Sequence, residues 1–272
     1  MRSLTVQSPD GTTIAAYEWG NPDGPPILFI HGLLQCYLAW RRQTGDPELA
    51  SAFRLVAIDL RGHGNSSKPV GNQHYRNNQL WADDIAAVIA QMDLRRPVLV
   101  AWSYAGRVIS DYLRVHGQAN VAGINFVGAS TKSDGALTGP AIKRNFPGIF
   151  SDDLATCIDA TRGFLRDCFA RPPSEQEFEL MLAYNMLIPA RVRAAVTDRE
   201  PNPGDVLATL TCPVLVTHGS EDPFMLPAMA QFTASQVKRA RLSLYQGIGH
   251  SPFYEDSARF NRELAEFVRA AQ

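Results

Sequence analysis

The chain has 272 residues, 45% of them hydrophobic and 19% charged, with a formal net charge of -1 at pH 7. That length allows one extended core, and the composition is that of an ordinary globular protein. Charges of both signs are scattered without runs, so neither nucleic acid nor an anionic membrane is expected as partner, and the expected partner is a small molecule.

The opening stretch "MRSLTVQSPDGTTIAAYEWG" alternates like a strand pair turning at Pro9-Asp10-Gly11. It lacks the apolar core of a signal peptide, and no apolar run reaches the ~18 residues of a membrane span. Further strands are predicted at "PILFI" (26–30), "RLVAID" (54–59), "PVLVAW" (97–102), "VAGINFVG" (121–128), "PVLVTHG" (213–219) and "ARLSLY" (240–245). Several are near-continuous in Val, Ile and Leu, as strands buried on both faces are. Between them, "NQLWADDIAAVIAQMDL" and "ARFNRELAEFVRAAQ" carry apolar residues at helical spacing. The alternation predicts an α/β fold, a mostly parallel sheet with helices on both faces. From Ser130 to Leu210 the rhythm breaks into helical segments, "DDLATCIDATRGFLRDCF" and "SEQEFELMLAYNMLI" among them. Proline-rich joints at 171–173 and 200–204 separate them. The expectation is a core of residues 1–129 and 211–272, with 130–210 inserted as a helical cap. The four cysteines (36, 157, 168, 212) form no C-x-x-C pair and no zinc-like spacing, so free thiols in a reducing, cytoplasmic setting are expected.

In open α/β sheets ligands bind beyond the carboxyl ends of strands. Four polar stretches stand at such ends: His31-Gly32, Ser103, Asp222 and His250. In "AWSYAG", Ser103 has Ala101 two before it, Ala105 two after it, then Gly106. A tight strand-to-helix turn that exposes a side chain needs small residues at those places. Alanines here replace the glycines of the general G-x-S-x-G form. The competing reading is a helix cap. A serine nucleophile needs a base, and the base an acid to hold its tautomer. His250 in "GIGHSPF" and Asp222 in "HGSEDPF" follow in the order Ser…Asp…His associated with that turn. Asp134 is a second candidate acid, and Glu221 adjoins Asp222. The backbone N–H groups of Tyr104 and Leu33 are placed to bind an oxyanion, and His31 to brace the Leu33 loop. Leu34, Trp102, Phe224, Met225, Leu226 and Phe253 lie near these groups and are candidates for a substrate-binding pocket. Cys36 is expected in the pocket or core, not as a nucleophile. No H-E-x-x-H and no phosphate-cradling loop occurs, so neither metal nor cofactor is expected.

"ILFIHGLLQ", "DLRGHGNSSKP", "AWSYAG", "HGSEDPF" and "GIGHSPF", in that order, resemble the oxyanion loop, the following loop, the nucleophile elbow and the acid and base loops of the α/β-hydrolase superfamily. The resemblance spans nearly the whole chain. It implies the α/β-hydrolase fold, a cap that shapes substrate choice, and structural roles for Asp59 and His63. The serine argues against the epoxide hydrolases and haloalkane dehalogenases of that superfamily, which carry aspartate there. The expected activity is hydrolysis of a small to medium apolar or aromatic ester or lactone through an acyl-enzyme. Perhydrolases of the non-haem haloperoxidase kind, carbon–carbon bond hydrolases and hydroxynitrile lyases share the fold, and so do some small-molecule receptors. Ser251-Pro252-Phe253 stands where carbon–carbon hydrolases often carry tryptophan after the histidine. Oligomeric state is left open.

Overall fold

The first twenty residues form the expected hairpin. β1 (Arg2–Gln7) and β2 (Thr13–Gly20) pair antiparallel. The Gly11 N–H donates to the Ser8 carbonyl at 2.9 Å, and Gly11 takes φ +82°, a region that favours glycine. The structure, a computed structural model, describes residues 1–199 and 204–272. Six further strands follow: β3 (Pro26–Ile30), β4 (Arg54–Ile58), β5 (Val98–Trp102), β6 (Gly123–Val127), β7 (Val214–Gly219) and β8 (Ala240–Tyr245). They form one sheet in the order β1-β2-β4-β3-β5-β6-β7-β8, parallel from β4 to β8, with β2 antiparallel to both its neighbours. β3, β5, β6 and β7 are buried along their whole length, which is why Val, Ile, Leu and Phe dominate their sequences. Strand boundaries differ slightly from the sequence reading. Pro97 and Pro213 stay just outside β5 and β7, whereas Pro26 opens β3, and Gly128 ends β6 by turning to φ +49°.

Helices cover both faces of this sheet. On one, Asn78–Gln91 packs along Ala105–His116. On the other, Ser257–Ala271 lies against Trp40, whose ring stacks among Phe29, Phe253 and Phe260 at centroid distances of 5.1, 4.4 and 6.4 Å. The loop after β4 is tied to the first group by a fully buried, bidentate Arg61–Asp84 pair, both contacts at 2.7 Å.

Between β6 and β7 the described chain is helical, with helices at Pro140–Ile149, Leu154–Asp167, Glu175–Met186 and Ala190–Thr197. A single bridge between Thr138 and Met225 joins the start of this segment to the loop after β7. The Arg171–Pro173 joint is an irregular link between two helices; the second joint, at 200–203, lies outside the described residues. Ile142, Phe146, Phe164 and Thr197 from this segment meet Ser103 around one cavity, so the helices lie over the carboxyl end of β5. All four cysteines are free, three of them buried. Among the described residues no helix is long and apolar enough to cross a membrane.

Candidate active site

β5 ends at Trp102 and the chain passes at once into the helix Ala105–His116. Ser103 makes that turn at φ +55°, a conformation that costs a non-glycine residue about 1–3 kcal/mol and persists only where its surroundings impose it. Three backbone hydrogen bonds do so. The Ser103 N–H donates to the Val127 carbonyl at 2.9 Å, and the Ser103 carbonyl accepts from Gly106 and Ser130 at 3.0 Å each. The turn is thereby pressed against the end of β6. A Cβ on Gly106 would stand 2.8 Å from the Ser130 carbonyl oxygen and 2.9 Å from Ala129 Cβ, which is why small residues crowd this serine.

His250 lies in the loop after β8. Its Nδ1 donates to Asp222 Oδ2 at 2.6 Å, both groups being buried. The other oxygen, Asp222 Oδ1, accepts the N–H groups of Phe224 and Met225 at 2.9 and 3.0 Å, so the carboxylate is held by its own turn. His218 also approaches Asp222 at 3.5 Å but gives its Nε2 proton to the Met225 carbonyl at 2.8 Å, and burial pushes its pKa down. Glu221 points outward and accepts from Ser220. Asp134 pairs with Lys132 at 3.2 Å at the cavity wall. Asp222 is therefore the acid that meets His250. Gly128 abuts the pair: a Cβ there would lie 3.1 Å from His250 Nδ1 and 3.3 Å from Asp222 Oδ2.

After β3, His31 braces the next loop as expected. It accepts the Leu60 N–H at Nε2 (3.0 Å) and donates from Nδ1 to the Gly32 carbonyl (2.8 Å), and burial lowers its pKa strongly. Among the described residues, neither the Leu33 nor the Tyr104 amide makes a backbone hydrogen bond, and both residues line the cavity beside Ser103 and His250. Asp59 accepts from the amides of Tyr37 and Asn65 at 2.8 Å each and from the Tyr17 hydroxyl, a holding role for its loop. Cys36 is in the core, its thiol pushed up by burial.

The cavity measures about 320 Å³, near the low end for small-molecule sites. Of the six residues expected to bind substrate, Phe224 and Met225 line it; Leu34, Trp102, Leu226 and Phe253 do not. Leu34 is fully buried within a turn at φ +61°. Trp102 points behind His250, donating its indole N–H to the His250 carbonyl at 2.9 Å and packing edge-on against Phe253 at 4.8 Å. Phe253 thus belongs to the aromatic core under the sheet. Leu226 leads into the helix Pro227–Gln236 and bonds through its amide to the Leu137 carbonyl. Sequence reasoning missed the remaining walls. Ile142, Phe146 and Phe164 form an apolar side, and Arg107, Thr131 and Lys132 a polar one. The last two could have been found, since they lie in the loop that follows β6 at the sheet's carboxyl edge. Among the described residues no group of three His, Cys, Asp or Glu side chains is spaced to hold a metal ion.

Comparison with known proteins places the chain in a family. Residues 27–263 match the alpha/beta hydrolase family. A protein from Burkholderia cenocepacia, assigned as an aryl esterase, is 38% identical and superposes with a TM-score of 0.94 over 99% of each chain. The esterase RhEst1 from Rhodococcus sp. ECU1013 is 33% identical, with a TM-score of 0.92 over all of both chains. A non-heme haloperoxidase of Rhodococcus erythropolis is 26% identical over 97% of this chain and 99% of its own.

Proposed function

Because the chain belongs to the alpha/beta hydrolase family, we propose that it is a carboxylesterase working through Ser103, His250 and Asp222. The observation that carries this reading is the buried Asp222–His250 hydrogen bond facing the same cavity as a serine strained at a strand end. With Nδ1–H committed to Asp222, the imidazole keeps Nε2 as an acceptor on its other side. His250 takes the Ser103 proton as Oγ attacks the ester carbonyl. The oxyanion sits on the Leu33 and Tyr104 amides, the second at the N-terminus of a helix. His250 returns the proton to the departing alcohol. Water, deprotonated by the same ring, then attacks the acyl-enzyme and frees the acid and Ser103.

The helices between β6 and β7 act as a cap in this reading, and Phe146, Phe164, Phe224 and Met225 select a small to medium apolar or aromatic group, ester or lactone. The test is hydrolysis of p-nitrophenyl esters from acetate to octanoate, wild type beside Ser103→Ala. A loss of at least ~10³-fold in the variant is expected, with an optimum at the short end set by the cavity. No hydrolysis of any ester by folded wild type would overturn the esterase reading.

A second reading is favoured by the likeness to the non-heme haloperoxidase: perhydrolysis, in which peroxide in place of water takes the acyl group. Peracid formation from acetate and hydrogen peroxide, abolished in Ser103→Ala, tests it.

A further inference from the structure

Two buried hydrogen bonds join the helices between β6 and β7 to the two segments that bear the proposed oxyanion donors. On the Leu33 side, Gln35 closes the turn by donating its N–H to the Gly32 carbonyl at 3.3 Å, and its Oε1 accepts the Tyr184 hydroxyl at 2.9 Å. Gln35 is 2% exposed and Tyr184 6%, so the bond is shielded from water. Tyr184 belongs to the helix Glu175–Met186. On the other side, the residue after Ser103 uses its own side chain. The Tyr104 hydroxyl donates to the Val196 carbonyl at 3.1 Å, in the helix Ala190–Thr197. Its ring lies edge-on to Trp81 at 5.6 Å and under the Arg199 guanidinium at 5.3 Å.

We infer that the inserted helices set the oxyanion geometry: Tyr184 acting through Gln35, and the Tyr104 hydroxyl acting through its own backbone, are positioning residues for the Leu33 and Tyr104 amides. This rests on the serine-esterase reading above. Both hydroxyls are committed to partners, Tyr184 to Gln35 and Tyr104 to the Val196 carbonyl. Each fixes where an amide points, and a tetrahedral oxyanion is more sensitive to that direction than a planar carbonyl is. A segment that only roofed the pocket would change KM; one that aims the donors changes kcat.

The test uses Tyr184→Phe, Tyr104→Phe and Gln35→Met, each with its melting curve, on p-nitrophenyl acetate. Phenylboronic acid, which forms a tetrahedral adduct with an active serine, is the second readout. The expected result is a kcat lower by roughly tenfold in each variant with KM changed less than about twofold, and a matching rise in the boronic acid inhibition constant. Tyr184→Phe and Gln35→Met combined should lose little more than Gln35→Met alone, because both remove one bond. Folded variants with wild-type kcat and wild-type boronate inhibition would overturn the inference while leaving the esterase reading intact. Should Tyr184→Phe fail to fold, Gln35→Met and Tyr104→Phe decide it by the same readouts. Wild type that paraoxon does not phosphorylate at Ser103 would overturn the esterase reading and this inference with it.

Discussion

Gly128 shows how tightly single atoms are placed around the His250–Asp222 pair. It combines φ +49° with the absence of a Cβ, and the position that a Cβ would take is 3.1 Å from His250 Nδ1. Gly128→Ala therefore meets two costs, a left-handed backbone and a close contact with the imidazole that the proposed mechanism uses. The expected outcome is a folded protein whose kcat/KM falls about ten- to a hundredfold, because a displacement well under 1 Å misaligns a base. Steady-state kinetics beside a melting curve checks it, and unchanged activity would mean that this pair is not what turnover depends on. Trp102 illustrates the same scale differently. Its neighbour is the nucleophile candidate, yet its ring braces the His250 loop through the indole N–H.

At the scale of elements, the helix Glu175–Met186 couples local chain chemistry to docking. Ser174 and Glu177 form a capping box: Ser174 Oγ accepts the Glu177 N–H at 3.4 Å and Glu177 Oε2 accepts the Ser174 N–H at 3.2 Å. The same Glu177 carboxylate pairs with Arg41 and, at 3.2 Å, with Arg42, so the start of this helix is fastened to the segment after β3. Ser174→Ala removes the cap and leaves those ion pairs. It should cost about 1 kcal/mol, read as a lowered urea midpoint or a melting temperature about 2 °C lower. The capping signature, Ser followed three residues on by Glu, is legible in the sequence. The pairing with Arg41 and Arg42 is not, because it joins residues that only the fold brings together.

Across the whole molecule, burial of histidine shapes the response to acid. His63 is fully buried, which pushes its pKa down to about 4, and His31 beside it at a ring distance of 5.2 Å is lowered well below its ordinary value for the same reason. A lowered pKa means that the folded state binds fewer protons than the unfolded chain between about pH 4 and the ordinary histidine value of 6.5. The stability is fully present above pH 6.5 and is lost as pH falls from there toward 4, by on the order of 3 kcal/mol for His63. Urea midpoints measured from pH 7 down to 4.5 should fall steadily, and His63→Gln should flatten part of that slope. A midpoint independent of pH in this range would contradict the assignment of two neutral buried imidazoles.

What the sequence by itself determined is the frame. Strand positions follow from unbroken runs of β-branched and apolar residues, turn points from glycine and proline, and the order of Ser103, Asp222 and His250 from loops that each follow a recognisable strand. These signals are local, spread over a few residues, so they survive without knowledge of the fold. What only the tertiary structure decided is direction. Whether Glu221 or Asp222 faces His250, and that Phe253 points into the core while Phe146 and Phe164 reach the cavity, depend on how helices pack across the sheet. Residues far apart in the chain meet there with no shared period to announce it. The cavity wall is a property of that packing, and the chain's local chemistry does not encode it.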